Sequence, residues 1–175
     1  MDRILVALDG STHSDRALVL AADLAEKYQA DLLMVHVMPT APLNDAERHM
    51  ASVEYADELT HWTKDWKEAR PGAQNASGPE LLLQYSDLAN RFRELVAKRL
   101  MSSAKTKLQD RQLKSTEAIV QAGDPAKTIL DLAESRKVNA IVMGSRGLGD
   151  ITGLLLGSVS HKINHLAGCT CITVK

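Results

Sequence analysis

The sequence predicts an α/β fold of three layers, doubly wound around a five-stranded, mostly parallel sheet, and three observations carry that expectation. Strand-like and helix-like segments alternate over most of the 175 residues, as they do in chains of βαβ units. The strand-like runs, Ile4 to Leu8 and Leu32 to Met38 among them, are continuously aliphatic, the pattern of strands covered on both faces. A glycine-rich stretch from Gly144 to Ser160, reading GSRGLGDITGLLLGSVS, joins a short apolar run to a helical one. That is the kind of strand-to-helix connection at which parallel sheets hold ligands.

The elements follow in order. Ile4 to Leu8 is the first strand and Asp9-Gly10-Ser11 closes it. Ser14 is the expected N-cap of a helix whose apolar stripe is Ala17, Leu18, Ala21, Leu24, Ala25 and Tyr28. Leu32 to Met38 is the second strand, stopped by Pro39 and Pro42; strand, helix and strand together make a right-handed βαβ unit. Residues 43 to 113 depart from this alternation and read as an inserted helical hairpin. Its first helix runs from Glu47 to Arg70 and ends at Pro71-Gly72. Its second opens with a Ser77 and Glu80 capping box, tolerates Pro79 in the first turn, and carries the stripe Leu81, Tyr85, Leu88, Phe92, Leu95, Val96 towards Leu108. Trp62 and Trp66, one turn apart, are expected to pack against that second helix. Thr116 to Gln121 is the third strand, and Asp124 followed by Pro125 opens the next helix, with Ile129, Leu130 and Ala133 facing the core. Asn139 to Met143 is the fourth strand, Val159 to Leu166 a short helix, and Thr170 to Val174 the fifth strand.

Composition narrows the class. The chain is long enough for one domain with a sizeable core, and 45% hydrophobic with 25% charged residues is ordinary for a globular protein. A net charge of −1 supplies no field to gather nucleic acid or an acidic membrane. No stretch approaches a membrane span, and the apolar run before Asp9 is too short for a secretory signal. Cys169 and Cys171, two apart in a strand, would set their Cα atoms roughly 6.5 to 7 Å apart, near the limit for a disulfide. A reducing cytoplasm is the expected compartment.

Polar residues gather where parallel strands end: Asp9 after the first strand, Gly123-Asp124 after the third, the glycine stretch after the fourth. Glycines 144, 147, 149, 153 and 157 allow main-chain amides to converge on an anion beside a helix amino end. Ser158 can serve as the N-cap of that helix or offer its hydroxyl to a phosphate, and Arg146 adds a mobile cation. A nucleotide suits such a crevice, with phosphates on the glycines, the base on an apolar wall and ribose or a metal near Asp9. Two phosphate motifs are excluded. No Gly-Lys-Ser/Thr occurs, so a P-loop is absent. In the dinucleotide fingerprint a glycine should follow Gly149 sooner than Gly153, and no acidic residue ends the last strand.

The stretch does match G-x2-G-x9-G-[ST] through Gly144, Gly147, Gly157 and Ser158. With ILVALDGS, ADLLMVHVMP, GDPAKTIL, NAIVMGSRG and GSVS in the same order, residues 1 to 42 and 115 to 175 resemble the universal stress protein family in its ATP-binding branch. The resemblance implies the strand order 3-2-1-4-5 within a single domain over residues 1 to 175. It also implies a set of contacts with ATP, or with AMP or ADP. Ala7 would flank the base, Val37 would meet adenine through its backbone, and Met143 would line the base pocket. Asp9 would lie near ribose and phosphate, where nucleotide-bound Mg or Mn could reach it. Gly144, Arg146 and Gly147 would surround the phosphates, and Gly157, Ser158, Val159 and Ser160 would complete the cradle. Family members commonly form homodimers through the last strand, here Cys169 to Val174. The 43 to 113 insertion is longer than usual for the family and could meet a protein partner.

No His or Glu stands at a motif position to activate water, so the expected role is a stress-response sensor or switch with slow or no hydrolysis. The other class to weigh is a dimeric interaction module that works through its insertion without nucleotide. His161 and His165 have zinc-compatible spacing but lack an HExxH pattern and a third ligand, and read as surface residues. The adenylyl-transfer signatures SGGxDS and HxGH are absent.

Overall fold

A computed structural model of the chain describes residues 1–69, 79–147 and 157–175. Arg70, residues 71 to 78 with the expected Ser77 cap, and Gly149, Asp150 and Gly153 lie outside those residues. The chain divides into two compact units, Met1–Thr40 with Ala97–Lys175, and Ala41–Val96.

The first unit is built on five strands: β1 (Arg3–Ala7), β2 (Asp31–Met38), β3 (Ser115–Ala122), β4 (Ala140–Gly144) and β5 (Thr170–Val174). All neighbouring pairs are parallel, and the order is β3-β2-β1-β4-β5, as the family pattern implies. Side chains alternate across such a sheet, so each face takes its own core. On one face Ile4, Val6, Leu32, Met34 and Val142 pack with Ala17, Leu18, Ala21 and Ala25 of helix α1 (Thr12–Tyr28). The end of helix α4 (Pro79–Leu108) joins them through Met101, Ala104 and Leu108. On the other face Leu5, Leu33, Val35, Val37, Ile141 and Met143 pack against α5 (Pro125–Ser135) and α6 (Ser158–Leu166). Each fully buried Leu or Ile contributes about 1.5–3 kcal/mol of transfer free energy.

Two expectations for α1 are corrected. Its N-cap is Ser11, whose hydroxyl accepts from Ser14 N–H at 3.1 Å, rather than Ser14. Ser14 lies in the first turn, buried, and donates its own hydroxyl to Ser11 C=O at 2.9 Å. Tyr28, placed in the apolar stripe, is exposed at the helix end. Asp124 does cap α5, accepting from Lys127 N–H at 2.8 Å, with Pro125 in the first turn.

The second unit has three helical segments where a two-helix hairpin was expected. Helix α2 (Asp45–Glu54) begins at an Asn44 and Glu47 capping box. The helical pattern of 47 to 70 is interrupted at Tyr55, where the backbone leaves helical geometry (φ −125°, ψ 15°) before α3 (Ala56–Glu68) resumes it. The Tyr55 ring turns inward onto Phe92, edge to face at 5.4 Å between centroids. Leu59 completes this buried cluster, with Leu43, Met50, Leu88, Leu95 and Val96 around it. Trp66 does reach the next helix: its indole N–H donates to the Asp87 carboxylate at 3.0 Å. Buried Arg93 holds the start of the unit, donating to Ala41 C=O at 2.6 Å and pairing with Glu47 at 3.4 Å. Among the described residues no helix is long and apolar enough to cross a membrane.

Candidate functional site

The strand order reverses between β1 and β4, and beyond their carboxyl ends is where open parallel sheets commonly hold ligands. The register sets Ala7 opposite Met143 on one side and Val35 on the other. Alternation then brings Ala7, Val37 and Met143 to the same sheet face, where they share a core cluster with Val159 of α6. The three residues that the resemblance assigns to the base thus lie on one sheet face.

Beyond β1 the chain turns sharply. Gly10 has φ 87°, a left-handed conformation that glycine adopts without strain. The turn folds Asp9 back, so that its Oδ1 accepts from Ser11 N–H at 2.9 Å. Ser11, buried, donates its hydroxyl to Arg146 C=O at 3.2 Å and thereby ties the start of α1 to the connection after β4. Gly147 lies against Asp9: a Cβ there would stand 2.5 Å from Asp9 Oδ2. The motif implies that these two residues surround one ligand; the fold puts them against each other.

Gly144 has a different neighbour. A Cβ on it would lie 2.9 Å from His13 Cβ and 3.0 Å from both His13 C and Ser14 N, so glycine lets α1 sit close upon β4. Two of those atoms are backbone and cannot rotate away. Gly144→Ala is therefore expected to destabilise the protein by about 1–3 kcal/mol, lowering the melting temperature by roughly 3–10 °C. Differential scanning calorimetry checks this, and an unchanged transition would mean that α1 and β4 have slack.

Ser145 organises the return of the glycine stretch, although nothing in the sequence singles it out: an unpatterned serine carries no signal. Its N–H donates to Val174 C=O and its C=O accepts from Gly157 N–H, both at 2.7 Å. Ser160 is buried, and its hydroxyl lies 3.0 Å from the carbonyl oxygens of both Ser145 and Gly157. The hydroxyl of Ser160 and the N–H of Gly157 are thus engaged within the protein.

The cap of α6 is Gly157 (φ −70°, ψ 160°), not Ser158, which is the first helical residue and is exposed. Among the described residues no side chain caps this helix end, whereas Ser11 and Asp124 cap α1 and α5. The first N–H groups of a helix have no partner inside it, and those of Ser158, Val159 and Ser160 have none among the described residues. Arg146, half-buried, has no ion-pair partner among the described residues. At the rim, the Lys127 N–H and then the Lys162 ammonium hold the Asp124 carboxyl below its ordinary range. Burial raises the Cys169 and Cys171 thiols above theirs; both are free and half-buried, Cys171 within β5 and Cys169 just before it. His161 and His165 are exposed on α6.

The strand order agrees with one family, whose sequence profile matches residues 1–175. The chain belongs to the universal stress protein family. It is 29% identical over 174 residues to universal stress protein YxiE of Bacillus subtilis, covering 99% of each chain. It is 30% identical over 177 residues to stress response protein NhaX of the same organism, covering 99% of this universal stress protein and 98% of that one. Its fold matches universal stress protein UspA from Lactobacillus plantarum with a TM-score of 0.73 at 19% identity, covering 99% and 97% of the two chains. Two further structures of the fold carry ligands: a universal stress protein in complex with cAMP (TM-score 0.62, 19% identity, 99% and 97% covered) and one from Archaeoglobus fulgidus with dAMP (0.58, 18%, 100% and 98%).

Proposed function

We propose that this universal stress protein binds an adenine nucleotide, ATP above all and AMP or ADP besides, and acts as a sensor or switch with slow or no hydrolysis. The observation that carries the reading is the amino end of α6, which no side chain caps among the described residues, with three main-chain donors behind a glycine; Arg146, two residues after β4, has no acidic partner among the described residues. An anion of high charge density suits that end best. The apolar wall of Ala7, Val37 and Met143 suits a flat base. Asp9 Oδ1 is held by Ser11, while Oδ2 carries no hydrogen bond among the described residues and is suited to a ribose hydroxyl or to nucleotide-bound Mg or Mn. Adenine is the part shared by the ligands of the cAMP and dAMP complexes, which supports the choice of base. Asp9 is the carboxylate that the motif brings to the cradle, and no His or Glu stands at a motif position to activate water, in keeping with slow turnover. The homodimer proposal rests on β5, a sheet edge whose unpaired main chain favours cover by a second copy.

Equilibrium binding of a fluorescent ATP analogue tests the site. Valine is compatible with the backbone of Gly157 (φ −70°, ψ 160°), so Gly157→Val is expected to fold and to put methyl groups into the cradle. The expected loss is about tenfold or more in affinity, equivalent to ~1.4 kcal/mol. Phosphate release with Mg or Mn should stay below about 1 per second, an ordinary enzymatic rate. Equal affinity of variant and wild type would remove the cradle from the reading.

A further inference from the structure

The main-chain ladder between β1 and β2 stops one rung early. Ala7 pairs with Val35, and Leu8 N–H accordingly donates to Val35 C=O at 2.8 Å. The next rung of a parallel ladder would carry Val37 N–H to Leu8 C=O. Instead, Leu8 C=O accepts from a side chain, the imidazole Nδ1 of His36 at 2.8 Å. A carbonyl only accepts, so Nδ1 holds the proton. His36 is 8% exposed, and its own main chain is turned the other way, to β3 in register with Val120. The main-chain N–H and C=O of Val37 are therefore turned towards β1 at a height where β1 has ended.

We propose that His36 is a positioning residue: by taking Leu8 C=O it holds the end of β1 off Val37 and keeps the Val37 N–H and C=O open to the base of the nucleotide. The inference rests on the nucleotide reading of the crevice. A donor and an acceptor on one edge of one residue meet the N1 acceptor and N6 amine of adenine. In guanine the order of donor and acceptor along the same edge is reversed, so a base held by its sugar would mismatch twice. The bond from His36 thus also serves selectivity. Its side chain lies on the α1 face of β2 by strand alternation, and the base wall is on the other face, so the imidazole itself does not touch the ligand.

The test compares wild type, His36→Leu and His36→Asn, whose side-chain amide can place an N–H where Nδ1 stands. Backbone amide exchange at Val37, read by NMR without ligand, should be fast in wild type. In His36→Leu it should slow by about tenfold or more as Leu8 C=O takes the freed rung. Affinity for the fluorescent ATP analogue should fall about tenfold in His36→Leu and stay within about threefold of wild type in His36→Asn. Inorganic triphosphate, which meets only the cradle, should bind all three alike. A wild-type Val37 amide as protected as its ladder neighbours would overturn the proposal, and so would a folded His36→Leu that binds ATP like wild type. The wild-type exchange rate and the His36→Asn affinity decide the matter even if His36→Leu does not fold. If wild type binds neither ATP nor triphosphate, the nucleotide reading fails. The exchange comparison then still decides whether His36 holds the rung open.

Discussion

Gly147→Val is expected to abolish tight ATP binding, weakening it by at least about tenfold and by more if Asp9 meets the metal, while the protein stays folded. The separation follows from what a side chain at 147 would touch. Within 4 Å of its Cβ, among the described residues and apart from its chain neighbours, lie Asp9 Oδ2, at 2.5 Å, and Asp9 Cγ, at 3.8 Å, and no backbone atom. A short carboxylate can swing aside at little cost to packing, in contrast to the helix backbone that faces Gly144. What it cannot do is swing aside and keep its place. Asp9 Oδ1 shapes the turn into α1 through Ser11 N–H, and Ser11 in turn holds Arg146 C=O, so a displaced Asp9 disturbs the connection on both sides of the crevice. Calorimetry should place the melting temperature within a few degrees of wild type, and titration with the ATP analogue should show the loss. Intact affinity would mean that the ligand does not use the surface shared by Asp9 and Gly147.

Much of the fold around the candidate site is legible in the sequence, because the turns after β1 and β4 follow short-range rules. A strand followed by Asp-Gly-Ser, and another followed by a spaced glycine run, announce turns that only a few backbone conformations can make. Parallel order then carries them to one end of the sheet. The parts that escape depend on contacts between residues far apart in sequence. Ser11 rather than Ser14 caps α1 because the Asp9 turn delivers its hydroxyl to the right N–H, although both serines have equal capping chemistry. Ser145 is an ordinary serine until its main chain meets Val174 and Gly157. His36 sits in an aliphatic run where its only signal is being polar at a buried position, and its meaning appears once Leu8 is opposite it. In the insertion the expected start at Glu47 missed the Asn44 cap by a few residues, and nothing in the pattern marks the break at Tyr55. Helical periodicity continues through that position, and the interruption coincides with a ring turning in to meet Phe92, thirty-seven residues away.

That ring pair makes the Ala41–Val96 unit testable by itself. Phe92 is the only phenylalanine of the chain and is 2% exposed, with Tyr55 on its edge and Leu59 completing the buried cluster. Phe92→Ala removes the aromatic contact together with most of the buried volume, and the expected cost is about 3–5 kcal/mol. Such a cost is large for a unit of this size, whose core is one small cluster, and should unfold much of it at ambient temperature. The reporters are favourable, because both tryptophans of the protein, Trp62 and Trp66, lie in α3 of that unit. Urea unfolding followed by tryptophan fluorescence should therefore shift to a markedly lower midpoint in the variant. Phe92→Leu, which keeps apolar volume but loses the edge-to-face contact, should fall between the two. The Asp87 acceptor of the Trp66 indole adds a local check: emission should move to longer wavelength as that indole leaves its buried site. If Phe92→Ala costs less than ~1 kcal/mol, the cluster is not what holds the unit together, and its stability must come from polar ties such as Arg93 to Ala41 and Glu47.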